Sequence, residues 1–231
     1  MKVINQEFEI LFPEPKERVY ARIATAARTC YKSQPKTDDA AEADRVMVLK
    51  LVSKGHEAML EHASMTVRFT TDRAIANELV RHRIGSYAQE STRYCNYAND
   101  KFGNEICVID IKDQLMADPK GSRMDPKEMM DEVRVSWEVT CMAAENDYTT
   151  MISKGVSPQI ARAVLPLSLA TEIVATMNMR EWRHVFKLRV VGETGDPHPG
   201  IRALMAPLLR DVAKEMPELF GDIWMDYEQR I

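Results

Sequence analysis

The sequence has no C-x-x-C pair, no G-x-G-x-x-G, no H-E-x-x-H and no apolar run long enough to cross a bilayer, and each absence excludes something. Its four cysteines, Cys30, Cys95, Cys107 and Cys141, stand apart, which argues against a zinc knuckle or a dithiol redox site and predicts free thiols in a reducing compartment. The missing glycine fingerprint argues against a Rossmann nucleotide site. His56-Glu57 and Glu61-His62 lack the one-turn histidine spacing of the zinc-protease helix, so no metal site is expected; capping or hydrogen bonding is the plainer role for these histidines. Positions 1–10 carry polar residues where a signal peptide needs an apolar run, so a cytoplasmic protein without a membrane partner is expected. A formal net charge of −4 supplies no global positive field, which argues against a nucleic-acid partner and leaves basic residues to act locally.

What is present suits one large domain: 231 residues can bury a sizeable core, and neither repeats nor low-complexity tracts interrupt them. Residues 6–12 alternate as a strand, and Pro13 and Pro15 lead into a helix reaching Tyr31 with Val19, Ile23, Ala27 and Cys30 on one face. A second helix, 41–54, ends at Gly55, which suits a left-handed C′ position. Met65, Val67 and Phe69 alternate as a half-buried strand, and Asp72 caps a helix to His82 that turns Ile75, Leu79 and Val80 inward. Residues 105–110 read as a strand. Asp125-Pro126-Lys127-Glu128 forms a capping box before a long helix ending near Gly155, with Val133, Trp137, Cys141, Ala144 and Tyr148 at helical period. Ser157-Pro158 starts a short helix holding Arg162 that must stop before Pro166. Thr171, Ile173, Ala175 and Met177 alternate as a strand, and Asn178 and Glu181 start the next helix. After a loop over 192–200, a final helix carries Ile201, Leu204, Leu208 and Val212 on its inner face. These irregularly spaced strands and helices predict an α+β fold, a single domain with one sheet packed against several helices. The fifteen methionines read as core filler.

The run Arg81-His82-Arg83-Ile84-Gly85-Ser86-Tyr87-Ala88-Gln89-Glu90-Ser91-Thr92-Arg93-Tyr94 stands out because it is dense in donors that suit a phosphate or a uracil-like ring and poor in core formers. A plainer explanation competes: cations at the end of the 72–82 helix complement its dipole, with Gly85 as the break beyond it. Arg162 could bridge carboxylates, Arg189 could be a helix C-terminal cation and Asn178 an N-cap. Ser91 has no identifiable base and no G-x-S-x-G context, which favours hydrogen bonding over nucleophilic attack.

The pattern Arg81-His82-Arg83, Ser86, Ser91-x-Arg93-Tyr94 resembles the signature of the flavin-dependent thymidylate synthases. The resemblance runs from about Cys30 to Arg189 and includes Gly55-His56-Glu57, Glu61-His62, the stretch from Ala161 to Leu167, Asn178-x-Arg180 and Arg189. It implies reductive methylation of dUMP to dTMP without an enzyme thiol nucleophile, with 5,10-methylenetetrahydrofolate as carbon donor, NADPH as reductant and FAD as cofactor, because side chains cannot deliver a hydride. Carried over by position, Arg81, His82, Arg83, Gln89, Asn178, Arg180 and His184 contact FAD. Arg81, Gln89, Glu90, Ser91, Arg93 and Arg162 hold dUMP, and Arg189 stabilises charge developing on the uracil. Glu78 stands where family members often have Gln and is taken as a nucleotide contact. Ala88-Gln89 replaces a common Asn-Glu pair, His184 an Asn and Ala58 a Thr. The resemblance also implies a homotetramer whose active sites join Arg81 and Arg189 of one subunit with Ser91, Arg93 and Arg162 of another. Two other readings remain: a non-catalytic RNA- or nucleotide-binding module built on Arg81–Tyr94, and a flavoenzyme acting on a different pyrimidine nucleotide.

Overall fold

The computed structural model describes residues 1–35, 37–117 and 126–230, together with the backbone but not the side chains of 126–130. Asp125 lies outside them, so the capping box expected there does too. In chain order the elements are β1 (Lys2–Ile4), β2 (Glu7–Leu11), α1 (Lys16–Tyr31), α2 (Ala40–Ser53), a 3-10 turn (Glu57–His62), β3 (Ser64–Asp72), α3 (Arg73–Leu79) and β4 (Gly85–Gln89). Then come a 3-10 turn (Asp100–Phe102), β5 (Cys107–Ile109), α4 (Lys112–Ala117), α5 (Pro126–Ser153), α6 (Pro158–Ala161) and a 3-10 turn (Arg162–Val164). The chain ends with β6 (Ala170–Asn178), α7 (Met179–Phe186), a π-helical turn (Lys187–Val191), α8 (Pro199–Glu215) and α9 (Pro217–Glu228).

This is the expected mixture of helices and strands, but the strands form two sheets rather than one. A four-stranded sheet has the order β2-β3-β6-β4, and β1 pairs in parallel with β5 in register Lys2 with Cys107 to Ile4 with Ile109. β1 is only three residues long and β4 has no β-branched residue, so neither announces itself and pairing rather than propensity decides their state. The chain divides into two compact units, Met1–Phe8, Phe69–Arg81 and Tyr87–Val174 in the first, Glu9–Arg68, His82–Ser86 and Ala175–Ile231 in the second.

In the first unit Tyr97, Ile106, Val108, Cys141, Tyr148, Ala161 and Leu169 form a buried cluster, with Trp137 partly buried against it and Val133 left exposed. The Asp72 side chain caps α3 by accepting from the Ile75 N–H at 2.7 Å, as expected. The helix nevertheless ends at Leu79, before the basic run. Val80 is 36% exposed, and Gly85 opens β4 instead of closing a helix. Arg81 therefore lies just beyond the C-terminal end of α3 rather than within its last turn, and His82 and Arg83 lie further from the dipole than expected.

In the second unit the inward faces of α1 and α8 are as the periodicity predicts, Val19, Ile23, Ala27, Ile201, Leu204, Leu208 and Val212 all being buried, whereas Cys30 is exposed. α8 is not the last helix: the chain breaks at Met216, and Pro217 occupies the first turn of α9. Trp182 and Phe186 on α7 stack at 5.8 Å between centroids, and Phe186 meets Phe220 of α9 edge-on at 5.6 Å. Gly55 takes φ +67 beyond α2, the conformation its C′ position calls for.

Candidate active site

In the second unit the site is built outward from α7. Asn178 caps the helix, its Oδ1 accepting from the Glu181 N–H at 2.8 Å, and Trp182 donates its indole N–H to the Met65 carbonyl at 3.0 Å. With Met179, Trp182, Val185 and Phe186 buried, Arg180 and His184 are left exposed. After Phe186 the helix widens into the π turn, closed by the Gly192 N–H donating to the Lys187 carbonyl at 2.9 Å. Such turns break helical phase and often occur where a side chain has to be re-aimed.

That turn carries Arg189, whose Nε donates to Nε2 of the buried His82 at 3.0 Å. Burial first, then the charges of Arg189 and His184, hold the His82 imidazole down to about 4, so the ring is neutral near pH 7. Because Nε2 accepts, the ring proton sits on Nδ1, which faces Glu181 Oε1 at 3.6 Å. That contact is not an ion pair: the imidazole is neutral, the distance is long for a hydrogen bond, and burial pushes the Glu181 carboxyl up against the opposing charges of His184 and Arg180. His184 approaches His82 edge-on, with centroids 6.0 Å apart. Arg180 pairs with Glu61 at 2.6 Å, and Arg83 is exposed with no side-chain partner among the described residues.

The first unit holds the other candidates. Arg81 is exposed, its side chain unpaired among the described residues, while Glu78 is half-buried. Gln89 donates from Nε2 to Thr171 Oγ1 at 3.3 Å. Glu90 is fixed from several sides: its N–H donates to the Glu172 carbonyl (2.9 Å), its carbonyl accepts from Arg73 Nη2 (3.0 Å), and its Oε1 accepts from the Tyr97 hydroxyl (2.7 Å). It lines a cavity of about 380 Å³ with Tyr97, Thr171 and Glu172. The Ser91 hydroxyl accepts from the Arg93 N–H at 3.3 Å, and Arg93 donates from Nε to Gln159 at 3.3 Å while lying over the Tyr94 ring. Arg162 donates to Thr92 Oγ1 at 3.2 Å and has no carboxylate partner among the described residues.

The structure thus gathers His82, Asn178, Arg180, His184 and Arg189 in the second unit, with Arg83, and Gln89, Glu90, Ser91, Arg93 and Arg162 in the first, with Arg81 and Glu78. Motif reading missed the supports: Tyr97 and Arg73 around Glu90, and Thr92 beneath Arg162. Tyr97 gave no local signal beyond being a tyrosine in a polar loop. The donor set suits a dinucleotide and a nucleotide monophosphate, since exposed guanidiniums match phosphate oxygens and a buried neutral imidazole with a fixed guanidinium can face a polar ring. No cluster of three or more His, Cys, Asp or Glu able to hold a metal occurs among the described residues. Among the described residues no helix is long and apolar enough to cross a membrane.

A mixed α/β fold without a dinucleotide fingerprint, carrying an arginine-rich segment before a sheet strand and a π turn after a capped helix, defines a narrow class. The chain belongs to the thymidylate synthase complementing protein family, whose model matches residues 16–218 and so spans both units. A flavin-dependent thymidylate synthase from Geobacter sulfurreducens is 34% identical over 215 residues, covering 91% of this chain and 82% of the relative. One from Mycobacterium leprae is 31% identical over 210 residues, covering 87% and 79%. Among solved structures, a UMP/dUMP methylase from Streptomyces cacaoi bound with 5-Br dUMP superposes with a TM-score of 0.75 over 96% of each chain at 22% identity, a likeness of fold.

Proposed function

We propose that this protein is a flavin-dependent thymidylate synthase acting as a single domain in a cytoplasmic homotetramer. It converts dUMP to dTMP with 5,10-methylenetetrahydrofolate as carbon donor, NADPH as reductant and FAD as cofactor. The observation that carries the reading is the pairing of the Arg189 guanidinium with a buried, neutral His82 in a chain of this family. Bound FAD, once reduced, supplies the hydride that no side chain can. Arg81, His82, Arg83, Gln89, Asn178, Arg180 and His184 hold it, the cations matching its diphosphate and Asn178 keeping an amide N–H to give while its oxygen caps α7. Arg81, Arg93 and Arg162 neutralise the dUMP phosphate, with Glu78, Gln89, Glu90 and Ser91 around the nucleotide. Arg189 stabilises the negative charge that polarisation of the uracil builds up, the charge that makes C5 a nucleophile toward the one-carbon unit.

No thiol takes part in this scheme. Burial pushes the Cys95, Cys107 and Cys141 thiols up, with nearby carboxylates Glu90, Glu105 and Glu138 adding to it, so thiolate is scarce at neutral pH.

The test is to purify the protein, measure bound flavin, supply dUMP, methylenetetrahydrofolate and NADPH, and quantify dTMP. Yellow protein that forms dTMP supports the proposal. Protein that neither carries nor binds FAD points to the nucleotide-binding module, and flavin without dTMP points to another pyrimidine substrate.

A further inference from the structure

We infer that His82 is a positioning residue for Arg189: its neutral Nε2 is the acceptor that fixes the orientation of the Arg189 guanidinium before any ligand arrives. The inference rests on the proposed synthase activity for its catalytic consequence, although the contact itself stands without it. An arginine side chain has several rotatable bonds, and a guanidinium on a turn of unusual phase is not oriented by its backbone alone. Here Nε, the nitrogen nearest the chain, is anchored at 3.0 Å, and anchoring Nε determines the plane in which both terminal nitrogens lie.

The anchor is itself held. His82 is buried, and its ring is bracketed by Arg189 on Nε2, Glu181 on the Nδ1 side and the edge of His184. A protonated ring would present N–H to a cation; a ring with its proton on Nε2 would present N–H to N–H. Only the Nδ1-protonated neutral form accepts from Arg189, and the carboxyl of Glu181 on the Nδ1 side favours that tautomer. Glu181 is in turn placed by the cap that fixes its own N–H on Asn178. The helix start, the histidine and the arginine form one chain of support.

The inference separates His82 as a positioner from His82 as only a flavin contact, and replacements of different shape tell these apart. His82→Leu removes the acceptor; His82→Gln puts an amide oxygen near the position of Nε2. At saturating FAD, His82→Leu should lower kcat about a hundredfold, the scale of a misplaced catalytic group, with a much smaller change in KM for dUMP. His82→Gln should recover a large part of that loss. Independently of turnover, in the full-length protein without added substrate the Arg189 Nε–H should give a slowly exchanging NMR signal that disappears in His82→Leu and returns in His82→Gln.

Normal kcat for His82→Leu once FAD saturates overturns the inference and leaves His82 a flavin ligand. An Arg189 Nε–H signal unchanged in His82→Leu overturns it too, and so does His82→Gln folding, by its dispersed spectrum, but staying as slow as His82→Leu. If wild-type protein forms no dTMP, the functional reading fails, while the NMR comparison still decides the contact.

Discussion

Arg183 keeps a full charge with only 2% of its side chain exposed, and it can do so because its donors are matched. Nε bonds Glu57 at 3.0 Å, the terminal nitrogens bond Asp222 at 2.8 and 2.7 Å, and Nη1 also meets the Leu219 carbonyl. The side chain thereby joins the 3-10 turn Glu57–His62, α7 and α9. Arg183→Met should destabilise the protein by about 3 kcal/mol in chemical denaturation at neutral pH, near the low end for a broken buried pair because Asp222 is 48% exposed and can rehydrate. The sign with pH follows from Asp222. Burial pushes its carboxyl up, but the hydrogen bonds and charge of Arg183 outweigh this and hold it below the ordinary 3.8. Such a group adds stability fully present above 3.8 and lost as pH falls through the lower folded value, so the gap between wild type and Arg183→Met should narrow in that acid window. A gap that stays constant there would remove the ion pair as its cause. The cysteines allow a second test at this scale. Replacing Cys30, Cys95 and Cys107 by Ser and the buried Cys141 by Ala should leave dTMP formation largely intact; folded protein that binds FAD but makes no dTMP would restore a thiol mechanism.

Between α7 and α8 the π turn exists because Gly192 closes it. The residue has φ +81, and a Cβ built on it would lie 3.0 Å from the Gly195 carbonyl oxygen and 3.1 Å from Pro197. Gly192→Ala should therefore lower stability by about 1–2 kcal/mol through the left-handed backbone alone. Because the turn carries Arg189, it should also lower turnover more than it lowers FAD affinity. Equal losses in both would mean that the turn does not set Arg189. This turn also marks where sequence reading stopped. Strand and helix bodies were legible where burial repeats at a single period, as at Met65, Val67 and Phe69 or at Ile201, Leu204 and Leu208. The end of α3 was not, because Arg81 and His82 are acceptable helix formers and the pairing of β4 in the sheet, which propensity does not encode, decides the matter. Nor was the π turn, whose wider hydrogen bonding leaves the apolar pattern of Val190 and Val191 looking helical. At the candidate site the residue types were legible through the motif; Arg189 on His82 spans 107 positions and Tyr97 on Glu90 depends on how a polar loop folds back. Contacts of that kind come from the tertiary arrangement rather than local spacing.

At the scale of the whole molecule the proposed homotetramer makes a demand that a monomer would not. α5 turns Val135, Val139 and Met142 outward, an exposed apolar stripe at helical spacing, and Phe12 is 87% exposed, both features that association would cover. The proposed ligands, FAD, dUMP and folate, would also need more enclosing wall than a chain without a nucleotide-binding subdomain readily supplies, and closed oligomers provide clefts between copies. The proposal is that Arg81 and Arg189 of one subunit serve the same dUMP as Ser91, Arg93 and Arg162 of its neighbour. Arg189→Ala and Arg93→Ala should each be nearly inactive alone. Mixed under conditions in which subunits exchange, they form pairs in which one site receives both lesions and the other regains both native arginines, so activity should reappear, in the simplest pairwise case at about a quarter of the wild-type level per subunit. Exchange is verified separately by mass spectrometry of subunits labelled with different isotopes. Verified exchange with a mixture no more active than its parents assigns both arginines to a site within one chain and ends the shared-site proposal.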